Sequence, residues 1–301
     1  MLLIKIMFEI VHIGYPKTAS TWLQNEYFPK VKNFHFISWP TVNNSLLFTD
    51  CFLFDSQRVR DNFVTSGKSL LLSSEHLSTA INFGWHYGVY SFANAYKIKA
   101  IYPNAKIVIF VRRQQSLICS AYLQYIKNGG TFGFRKWLYS GKVFSFEHLI
   151  FSRLIQLYDS LFGEDNVKVY LFEEFKKNPL LFLSRFNEDL GFDIDLDEVS
   201  LEPVNRALRK RVAIIQKFMN LFYREPLGMK HYLIHLPGMG IIARQTMKRL
   251  NRFSVFGEFL SDENLLDPKD IDYIKTFYAN SNKELSQRIG VDLKEYKYFI
   301  E

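Results

Sequence analysis

The sequence predicts an α/β protein: a central parallel β-sheet flanked by helices on both faces, followed by a helical C-terminal part. Three short, almost wholly apolar runs predict buried strands at Ser69–Ser73, Lys106–Val111 and Val167–Leu171. A fourth apolar run, Ile4–Ile13, predicts the first strand. Helical patterns separate these strands over roughly 190 residues, and such alternation is typical of a parallel sheet that is covered on both faces.

The predicted helices are marked by periodic apolar residues and by stop signals. The clearest pattern runs from Phe146 to Phe162, where seven apolar side chains share one face and Gly163 ends the helix. Another helix begins at Asn178-Pro179, since proline is favoured at the first helical position, and it ends at Gly191. Further helices are predicted at Tyr90–Tyr102, at Ser116–Tyr125 and from Asp267-Pro268 onward.

The length of the chain fits one large globular domain or two small ones. The chain has 301 residues, of which 48% are hydrophobic, so it can bury a sizeable core. Charged residues make up 23%, which argues against disorder. We expect a single domain over residues 1–301, with an α/β core at about 1–206 and a helical, basic extension at about 207–301.

Cysteine content and hydropathy predict a cytoplasmic protein. Cys51 and Cys119 are the two cysteines, and they form neither a disulfide framework nor a metal cluster, so no metal is expected. Residues 1–8 lead directly into the first strand without a cleavage-like site. No apolar stretch approaches the length of a membrane-spanning helix.

The turn after the first strand gathers groups that suit an anion. It reads Gly14-Tyr15-Pro16-Lys17-Thr18-Ala19-Ser20-Thr21-Trp22, and helical spacing of apolar residues follows. A strand–turn–helix of this kind aims backbone N–H groups and the positive end of a helix dipole at one point, and Lys17 adds a charge. The turn therefore predicts a phosphate-like site. An ordinary strand-to-helix connection with a Ser or Thr cap is the alternative.

A second candidate anion site follows the strand Lys106–Val111. Ligands of open parallel sheets bind at the carboxyl ends of the strands, where Arg112 lies. Ser116 and Ser120 follow at helical spacing, so the guanidinium and a hydroxyl can face one anion. The alternative is a solvated arginine with serines on a helix surface.

Glu75 and His76 follow the strand Ser69–Ser73 and form the third polar strand end. Either side chain can take a proton from an acceptor hydroxyl, since both can be tuned toward neutral pH. The alternative is a helix N-terminal acid beside a surface histidine. The position at a strand end favours the functional interpretation.

Four segments, in this order, resemble the sulfotransferases that use 3′-phosphoadenosine 5′-phosphosulfate (PAPS). Pro16–Leu23 is similar to their 5′-phosphosulfate loop, and Phe110-Val111-Arg112 with Ser120 and Tyr122 resembles their 3′-phosphate motif. Residues 170–191 resemble their passage of strand, acidic-aromatic turn, Asn-Pro, helix and Leu-Gly, and Val204-Asn205-Arg206 resembles their late Asn-containing segment. The resemblance covers roughly residues 8–210 and implies a P-loop-NTPase-like sulfotransferase fold with a nucleotide-binding core.

The resemblance also implies roles for single residues. Lys17 would stabilise the negative charge that grows on the bridging oxygen, and Arg112 with Ser120 would bind the 3′-phosphate. Glu75 is the first choice for the base that activates the acceptor, and His76 is the second. Donor binding is implied for Lys17, Thr18, Ala19, Ser20, Thr21, Trp22, Arg112, Ser120, Asn205, Arg206 and Arg209.

The implied reaction is in-line transfer of the sulfuryl group from PAPS to a hydroxyl, with PAP as product and no obligatory metal. The acceptor expected from the range of the family is a carbohydrate or glycolipid, and nucleic acid is not expected as a partner. The oligomeric state is not indicated by the sequence.

The sequence departs from the pattern of the family in two places. Ala19 stands where the family loop usually has glycine, and alanine tolerates a positive φ poorly. Arg113 and Gln114 stand where Asp or Asn and then Pro are common. These departures concern the fine geometry of the donor site and leave the donor assignment in place.

Two alternative functions come from other classes. A phosphate-loop kinase or NTPase would require the sequence Gly-x-x-x-x-Gly-Lys-[Ser/Thr], which is not present around Lys17. It would also require a magnesium-binding aspartate where the strand Lys106–Val111 ends in arginines. A non-catalytic binder of polyanions or of a membrane surface is supported by the net charge of +8.

The sequence of the extension allows two interpretations, packing on the core or peripheral contact with a membrane. A basic helix there carries an apolar stripe that we expect to pack on the core, formed by Leu208, Val212, Ile215, Phe218, Met219 and Phe222. Tyr232–Ile242 is strongly apolar and is followed by Arg244, Lys248 and Arg249. The alternative interpretation is a surface that docks onto a membrane or an acidic glycan.

Overall fold

A computed structural model describes residues 8–63, 67–79, 81, 86–202, 207–223 and 233–300, with the backbone alone for residues 86–89. Its centre is a five-stranded, wholly parallel sheet with the order β2-β3-β1-β4-β5. The strands are β1 Glu9–His12, β2 Phe34–Ile37, β3 Ser69–Ser73, β4 Lys106–Val111 and β5 Val167–Leu171. The predicted fold class is confirmed, and three strands have the predicted bounds.

The strand order places three strand ends side by side. β1 lies between β3 and β4, pairing Ile10 with Leu71 on one side and with Lys106 on the other. The chain crosses from one half of the sheet to the other at this point, because β2 and β3 lie on one side of β1 and β4 and β5 on the other. This topological switch opens a crevice beyond the carboxyl ends of β1, β3 and β4.

Helices cover both faces of the sheet. The helices are α1 Ser20–Trp22, α2 Trp39–Val42, α3 Ser56–Asp61, α4 His86–Ile101, α5 Gln114–Lys127, α6 Phe134–Leu138, α7 Phe151–Phe162, α8 Phe172–Lys177, α9 Pro179–Leu190, α10 Lys210–Met219, α11 Met239–Leu250, α12 Asp262–Leu265 and α13 Pro268–Ile289. Leu23–Tyr27 and Asn43–Leu47 are π-helical, and 3₁₀ turns are Phe28–Lys30, Cys51–Leu53, Glu75–Leu77, Phe146–Leu149, Glu164–Asn166, Leu196–Glu198, Asn220–Phe222, Ser254–Phe256 and Leu293–Tyr296.

Alternate side chains of β4 belong to two different hydrophobic clusters, one on each face of the sheet. Ile107, Ile109 and Val111 belong to the larger cluster, which also includes α5 and α7. Val108 and Phe110 belong to the smaller cluster, which is rich in aromatic rings from the segment after the β1 turn and from α9. A strand that is buried on both faces has no polar alternation, which is why β4 is an unbroken apolar run.

The helix that was predicted from Phe146 to Phe162 is divided into two parts. Phe146–Leu149 is a 3₁₀ turn, and α7 begins after Ile150, whose φ of −78° and ψ of 80° break the helix. Phe146 is held instead by the ring of Tyr273, 4.9 Å away, and its carbonyl accepts a hydrogen bond from Tyr278. The predicted stop at Gly163, with φ 83°, is confirmed.

The start and end predicted for α9 are both confirmed. The side-chain oxygen of Asn178 accepts a hydrogen bond from the N–H of Leu181, and Pro179 is the first helical residue. Gly191 closes the helix with φ 69°, a left-handed conformation that favours glycine.

The predicted apolar stripe of the basic helix is only partly correct. Phe218 is 62% exposed, whereas Gln216 and Asn220 are fully buried on the inner face of α10 and the 3₁₀ turn after it. The Asn220 amide donates to the carbonyls of Ile126 and Gly130 and so fixes the rotation of this segment. Buried hydrogen bonding therefore decides which face packs on the core.

The extension is tied to the sheet by a buried pair of amides. Gln114, at the start of α5, donates to the side chain of Asn282 on α13 at 2.7 Å, and Asn282 donates back at 3.1 Å. Both residues are fully buried. Asn282 also donates to the carbonyl of Phe299, so the pair links three distant parts of the chain. Proline, which is common at this place in the family pattern, has no side-chain amide and could not form this pair.

Among the described residues, no helix is long and apolar enough to cross a membrane. The same part of the chain has no strand beyond β5, apart from an isolated bridge between Arg209 and Phe259. The expectation that strands end before the extension is confirmed there.

We predict that Gln114→Ala lowers the free energy of unfolding by about 3 kcal/mol, because it leaves the amide of Asn282 buried without its partner. Unfolding in urea, followed by circular dichroism and tryptophan fluorescence, measures this loss. If residues 1–301 form one domain, both signals shift together in a single transition.

Gln57→Ala is the matched control, because Gln57 makes its 2.9 Å bond to Asp61 in an exposed position. This control should lie within about 0.5 kcal/mol of the wild type. Equal stabilities for the two variants would contradict the structural role of the Gln114–Asn282 pair.

Candidate functional site

The turn after β1 has two left-handed residues close together. Lys17 and Ala19 both have a φ of 72°, and the helix begins directly after Ala19. The first N–H groups of a helix have no carbonyl partner within it. The residues that carry them here, Ser20, Thr21 and Trp22, line the crevice at the end of β1. Gly14 lets the chain pass close to His12, since an added Cβ would lie 2.6 Å from the His12 ring.

Ala19 has a positive φ, the conformation that alanine tolerates poorly. The left-handed region costs a residue with a Cβ about 1–2 kcal/mol. Its methyl group packs against the aromatic cluster on one face of the sheet and recovers part of that cost. The turn therefore keeps the backbone path that glycine would give, with a strained residue at its second left-handed position.

Lys17 lies in the crevice with its charge only partly compensated. Its Nζ donates to the side-chain oxygen of Gln124 on α5 at 3.3 Å. Burial, together with the nearby charges of Lys127 and Arg112, lowers the pKa of Lys17 to about 8. Burial also lowers the pKa of Lys127 and of Arg112. A multiply charged anion would relieve this repulsion and raise these pKa values again.

Arg112 is oriented by contacts within the chain. Its Nε and Nη2 donate to the Ser116 hydroxyl at 2.9 and 2.5 Å, and its Nη1 donates to the Lys17 carbonyl at 2.9 Å. The guanidinium lies 4.7 Å from the centre of the Phe172 ring. These contacts hold the two cationic residues of the predicted anion sites in a fixed relation.

Glu75 and His76 reach the same crevice from the end of β3. Glu75 accepts a 2.9 Å hydrogen bond from the amide of Gln24, which also donates to Ser73 at 3.0 Å. Nδ1 of His76 lies 3.0 Å from the side-chain nitrogen of Asn43. Each of the two candidate bases thus has a buried amide that fixes its orientation.

His12 lies beneath this network, at the end of β1. Its Nδ1 is 2.7 Å from the Ser73 hydroxyl, and the rings of Phe28 and Phe110 contact it edge-on. Burial lowers the pKa of His12 to about 3. The imidazole is therefore neutral at physiological pH and does not add a charge below the turn.

Arg113 and Gln114, the second departure from the family pattern, have structural partners. Arg113 forms a 2.8 Å ion pair with Asp262, and its N–H donates to Glu173. Burial raises the pKa of Glu173, whose other oxygen accepts from the hydroxyl of Tyr298. These contacts fasten the segment after β4 to α8 and to the C-terminal end of the chain.

A cavity of about 850 Å³ joins these groups. Ten residues that the sequence singled out line it together: Lys17, Ala19, Ser20, Thr21, Trp22, Glu75, His76, Arg112, Ser116 and Ser120. The rings of Phe172 and Phe175 also line its wall. Three separate strand ends thus contribute to one site, as expected from the parallel sheet.

Some predicted residues are not brought to the cavity. The Thr18 side chain is buried and donates to the carbonyl of Tyr15. Arg209 lies outside the lining: it donates to the carbonyls of Asn251 and Gly257, and its guanidinium stacks on Phe259. Asn205 and Arg206 lie outside the described residues.

Several polar residues of the site were not predicted from the sequence, among them Lys176, Glu202, Ser261 and Asp262, which line the cavity. Gln124, Lys127 and Asn128 line the cavity from α5, and Gln24 reaches Glu75 from the π-helical segment after the turn. One face of α5 carries polar residues at spacings of four, four and three, namely Ser116, Ser120, Gln124 and Lys127. This spacing predicts a polar stripe on the helix. No comparable signal marks Gln24.

No group of three or more His, Cys, Asp or Glu residues within the described ranges could hold a metal ion.

The sheet order and the turn after β1 define a P-loop-like α/β fold, and solved structures of similar fold are known. A sulfotransferase from Alicyclobacillus acidocaldarius is similar with a TM-score of 0.56 at 16% identity, over 96% of this chain and 98% of that chain. This chain therefore has the fold of a sulfotransferase, as the sequence resemblance implied.

Two other solved structures are similar at lower scores. Mouse sulfotransferase SULT7A1 complexed with PAP has a TM-score of 0.47 and 14% identity, over 96% of this chain and 88% of that chain. The sulfotransferase domain from the curacin biosynthetic pathway has a TM-score of 0.39 and 12% identity, over 95% and 99% of the two chains. No protein-family model matches the chain. No curated protein matches it either.

We predict opposite outcomes for two substitutions of Ala19. Ala19→Gly should change the free energy of unfolding by less than about 1 kcal/mol, because relief of the left-handed strain offsets the flexibility of glycine and the lost methyl contact. Ala19→Val should destabilise the protein by about 2 kcal/mol, since a β-branched residue is least compatible with a positive φ.

Thermal and urea unfolding of both variants test this prediction. Similar stabilities for Ala19→Gly and Ala19→Val would contradict the left-handed conformation at this position.

Proposed function

We propose that this protein transfers the sulfuryl group of PAPS to an acceptor hydroxyl. The observation that carries the proposal is a cavity with two separate cationic positions, Lys17 at the β1 turn and Arg112 at the end of β4, both with a lowered pKa. A donor with phosphate groups at two ends of a nucleoside matches this arrangement. The fold, shared with a sulfotransferase, agrees with it.

The residues of the cavity fit such a nucleotide. Trp22, Phe172 and Phe175 supply aromatic surface for a purine ring. Lys17 and the N–H groups at the start of α1 would hold the 5′-phosphosulfate, and Arg112 with Ser116 and Ser120 would hold the 3′-phosphate. Lys127 adds a further cation near Lys17.

The bound donor would supply an activated sulfuryl group on its 5′-phosphate. Lys17, positioned by Gln124, would stabilise the charge that develops on the bridging oxygen as the bond to sulfur breaks. Its lowered pKa does not prevent this, because at pH 7 a group with a pKa of about 8 remains mainly protonated. The anionic phosphates would raise that pKa further.

Glu75 fits the role of the base better than His76. With Nδ1 accepting from the amide of Asn43, the neutral imidazole of His76 carries its proton on Nε2 and is a hydrogen-bond donor there. Glu75 keeps an oxygen available beside the one that accepts from Gln24. In our proposal Glu75 takes the proton of the acceptor hydroxyl, and His76 orients the acceptor.

The acceptor that we propose is a carbohydrate or glycolipid hydroxyl. Trp39 stands beside His76, with 6.1 Å between the ring centres, and it is 46% exposed, so an aromatic surface for a sugar face lies next to the acceptor side. The cytoplasmic location stays a prediction from the sequence.

The experiment is donor-dependent incorporation of sulfate, with PAPS as donor and a panel of sugars, glycolipids, phenols and peptides as acceptors. We expect transfer by the wild type, and a loss of about 100-fold or more in Lys17→Ala, because the charge on the leaving oxygen is no longer stabilised. ATP in place of PAPS tests the kinase alternative. Transfer from ATP, or wild-type turnover by Lys17→Ala, would contradict the proposal.

Binding of two nucleotides provides the matched control. Wild-type protein should prefer adenosine 3′,5′-bisphosphate to AMP, and Ser120→Ala should reduce that preference by about tenfold through loss of a charge-assisted hydrogen bond. Lys17→Ala should weaken the binding of both nucleotides alike. An unchanged preference in Ser120→Ala would argue against a 3′-phosphate site at this position.

We predict that Glu75→Gln lowers kcat by about 100-fold or more without weakening donor binding, because it removes a base and keeps the hydrogen-bonding shape. His76→Asn should raise the KM of the acceptor more than it lowers kcat. Steady-state kinetics with the best acceptor, together with calorimetric donor binding, separates the two effects. The reverse pattern would make His76 the base.

A further inference from the structure

The extension exposes an unusual number of large aliphatic side chains in one short segment. Five of them, between 41% and 71% exposed, form what we call the apolar tip: Leu233, Ile234, Leu236, Ile241 and Ile242. Soluble proteins seldom group so many exposed aliphatic residues unless the surface has a partner.

The apolar tip is held to the domain by main-chain hydrogen bonds. The N–H of Leu233 donates to the carbonyl of Leu221 at 2.8 Å, and the N–H of Leu236 donates to that of Phe222 at 2.9 Å. Phe218, itself 62% exposed, contacts the Phe222 ring at 5.2 Å between ring centres. The aliphatic residues therefore belong to a fixed surface, to which Phe218 adds an aromatic edge.

The charge of this region is strongly one-sided. Residues 203–257 contain eleven Lys and Arg against a single acidic residue, Glu225, which gives a net charge of +10. The whole chain has a net charge of +8, so everything outside this segment carries −2. The positive charge of the protein is therefore concentrated in the segment that bears the apolar tip.

Helix α11 combines both properties on its exposed side. Ala243 and Met247 are its buried residues. Ile241 and Lys248 are seven residues apart and so share a face, as do Ile242 and Arg249. All four side chains are exposed, with the aliphatic pair at the first turn and the basic pair two turns later.

We propose that the apolar tip and the basic residues of α11 dock the protein onto an anionic lipid bilayer. The aliphatic side chains would enter the interface, while Lys248 and Arg249 would meet the acidic headgroups. A second copy of the chain is a poor partner, since two surfaces of the same charge repel each other. A soluble polyanion would match the charge but would leave the aliphatic residues in water.

The docking surface adjoins the cavity through one buried side chain. Asn220, next to Phe222, donates to the carbonyls of Ile126 and Gly130 at 2.9 and 2.7 Å, around the end of α5. Lys127 and Asn128, from the same end of α5, line the cavity. A bilayer that held this surface would therefore be held close to the cavity as well.

Vesicle sedimentation of the full chain tests the proposal. We expect binding to vesicles of phosphatidylcholine mixed with phosphatidylglycerol, little binding to phosphatidylcholine alone, and weaker binding as salt is raised. Ile241→Ser/Ile242→Ser removes the aliphatic contact, and Lys248→Glu/Arg249→Glu reverses the charge. Each double variant should bind the mixed vesicles about tenfold more weakly.

Lys269→Glu/Lys275→Glu is the matched control, because it makes the same change in net charge at exposed positions of α13. It should bind like the wild type. An equal loss in this control, no binding of the wild type to the mixed vesicles, or binding to heparin without binding to vesicles would each overturn the proposal. Circular dichroism confirms that the variants are folded, and the charge variant, which alters only exposed side chains, keeps the test valid if the isoleucine variant is unstable.

Discussion

The site depends on three largely buried cations held close together, Lys17 and Arg112 beyond strand ends and Lys127 at the end of α5. Burial lowers the pKa of Lys17, Arg112 and Lys127, and for Lys17 the charges of the other two lower it further. The nearby Glu75 compensates only part of this charge. Such an arrangement is tolerable because the parallel sheet, the Ser116 hydroxyl and the Lys17 carbonyl hold the groups in place before an anion arrives.

The strands with the most continuous apolar runs are those that the sequence predicted best. β3, β4 and β5 match their predicted bounds, because each is a short, mainly apolar run. β3 and β4 are almost wholly buried, whereas β5 lies at an edge of the sheet. β2, at Phe34–Ile37, has no such run. It lies at the other edge of the sheet, where Phe34 and Ile37 are buried but His35 is exposed, so its pattern is mixed. The break at Ile150 depends on a tertiary contact between Phe146 and α13, which no local pattern can report.

In the site, too, local sequence patterns predicted some residues, whereas others depend on tertiary packing. Lys17, Glu75 and Arg112 follow strands directly, so the rule that parallel strands end at one edge was enough to group them. Gln24 and Gln124 act from helices, and their contribution depends on how each helix is rotated against the sheet. For Arg209, a basic residue near the expected nucleotide segment, the sequence could not reveal its carbonyl partners at Gly257 and Asn251.

His12 makes the stability of the fold beneath the site sensitive to acid. The folded protein keeps this imidazole neutral down to a pKa of about 3, whereas the unfolded chain takes up a proton below an ordinary histidine pKa of about 6.5. Between these two values the unfolded state binds more protons, so stability falls as the pH falls, by about 1.4 kcal/mol for each pH unit. The strand that supports the β1 turn therefore carries a built-in sensitivity to mild acid, in a pH range where most surface carboxylates are still ionised.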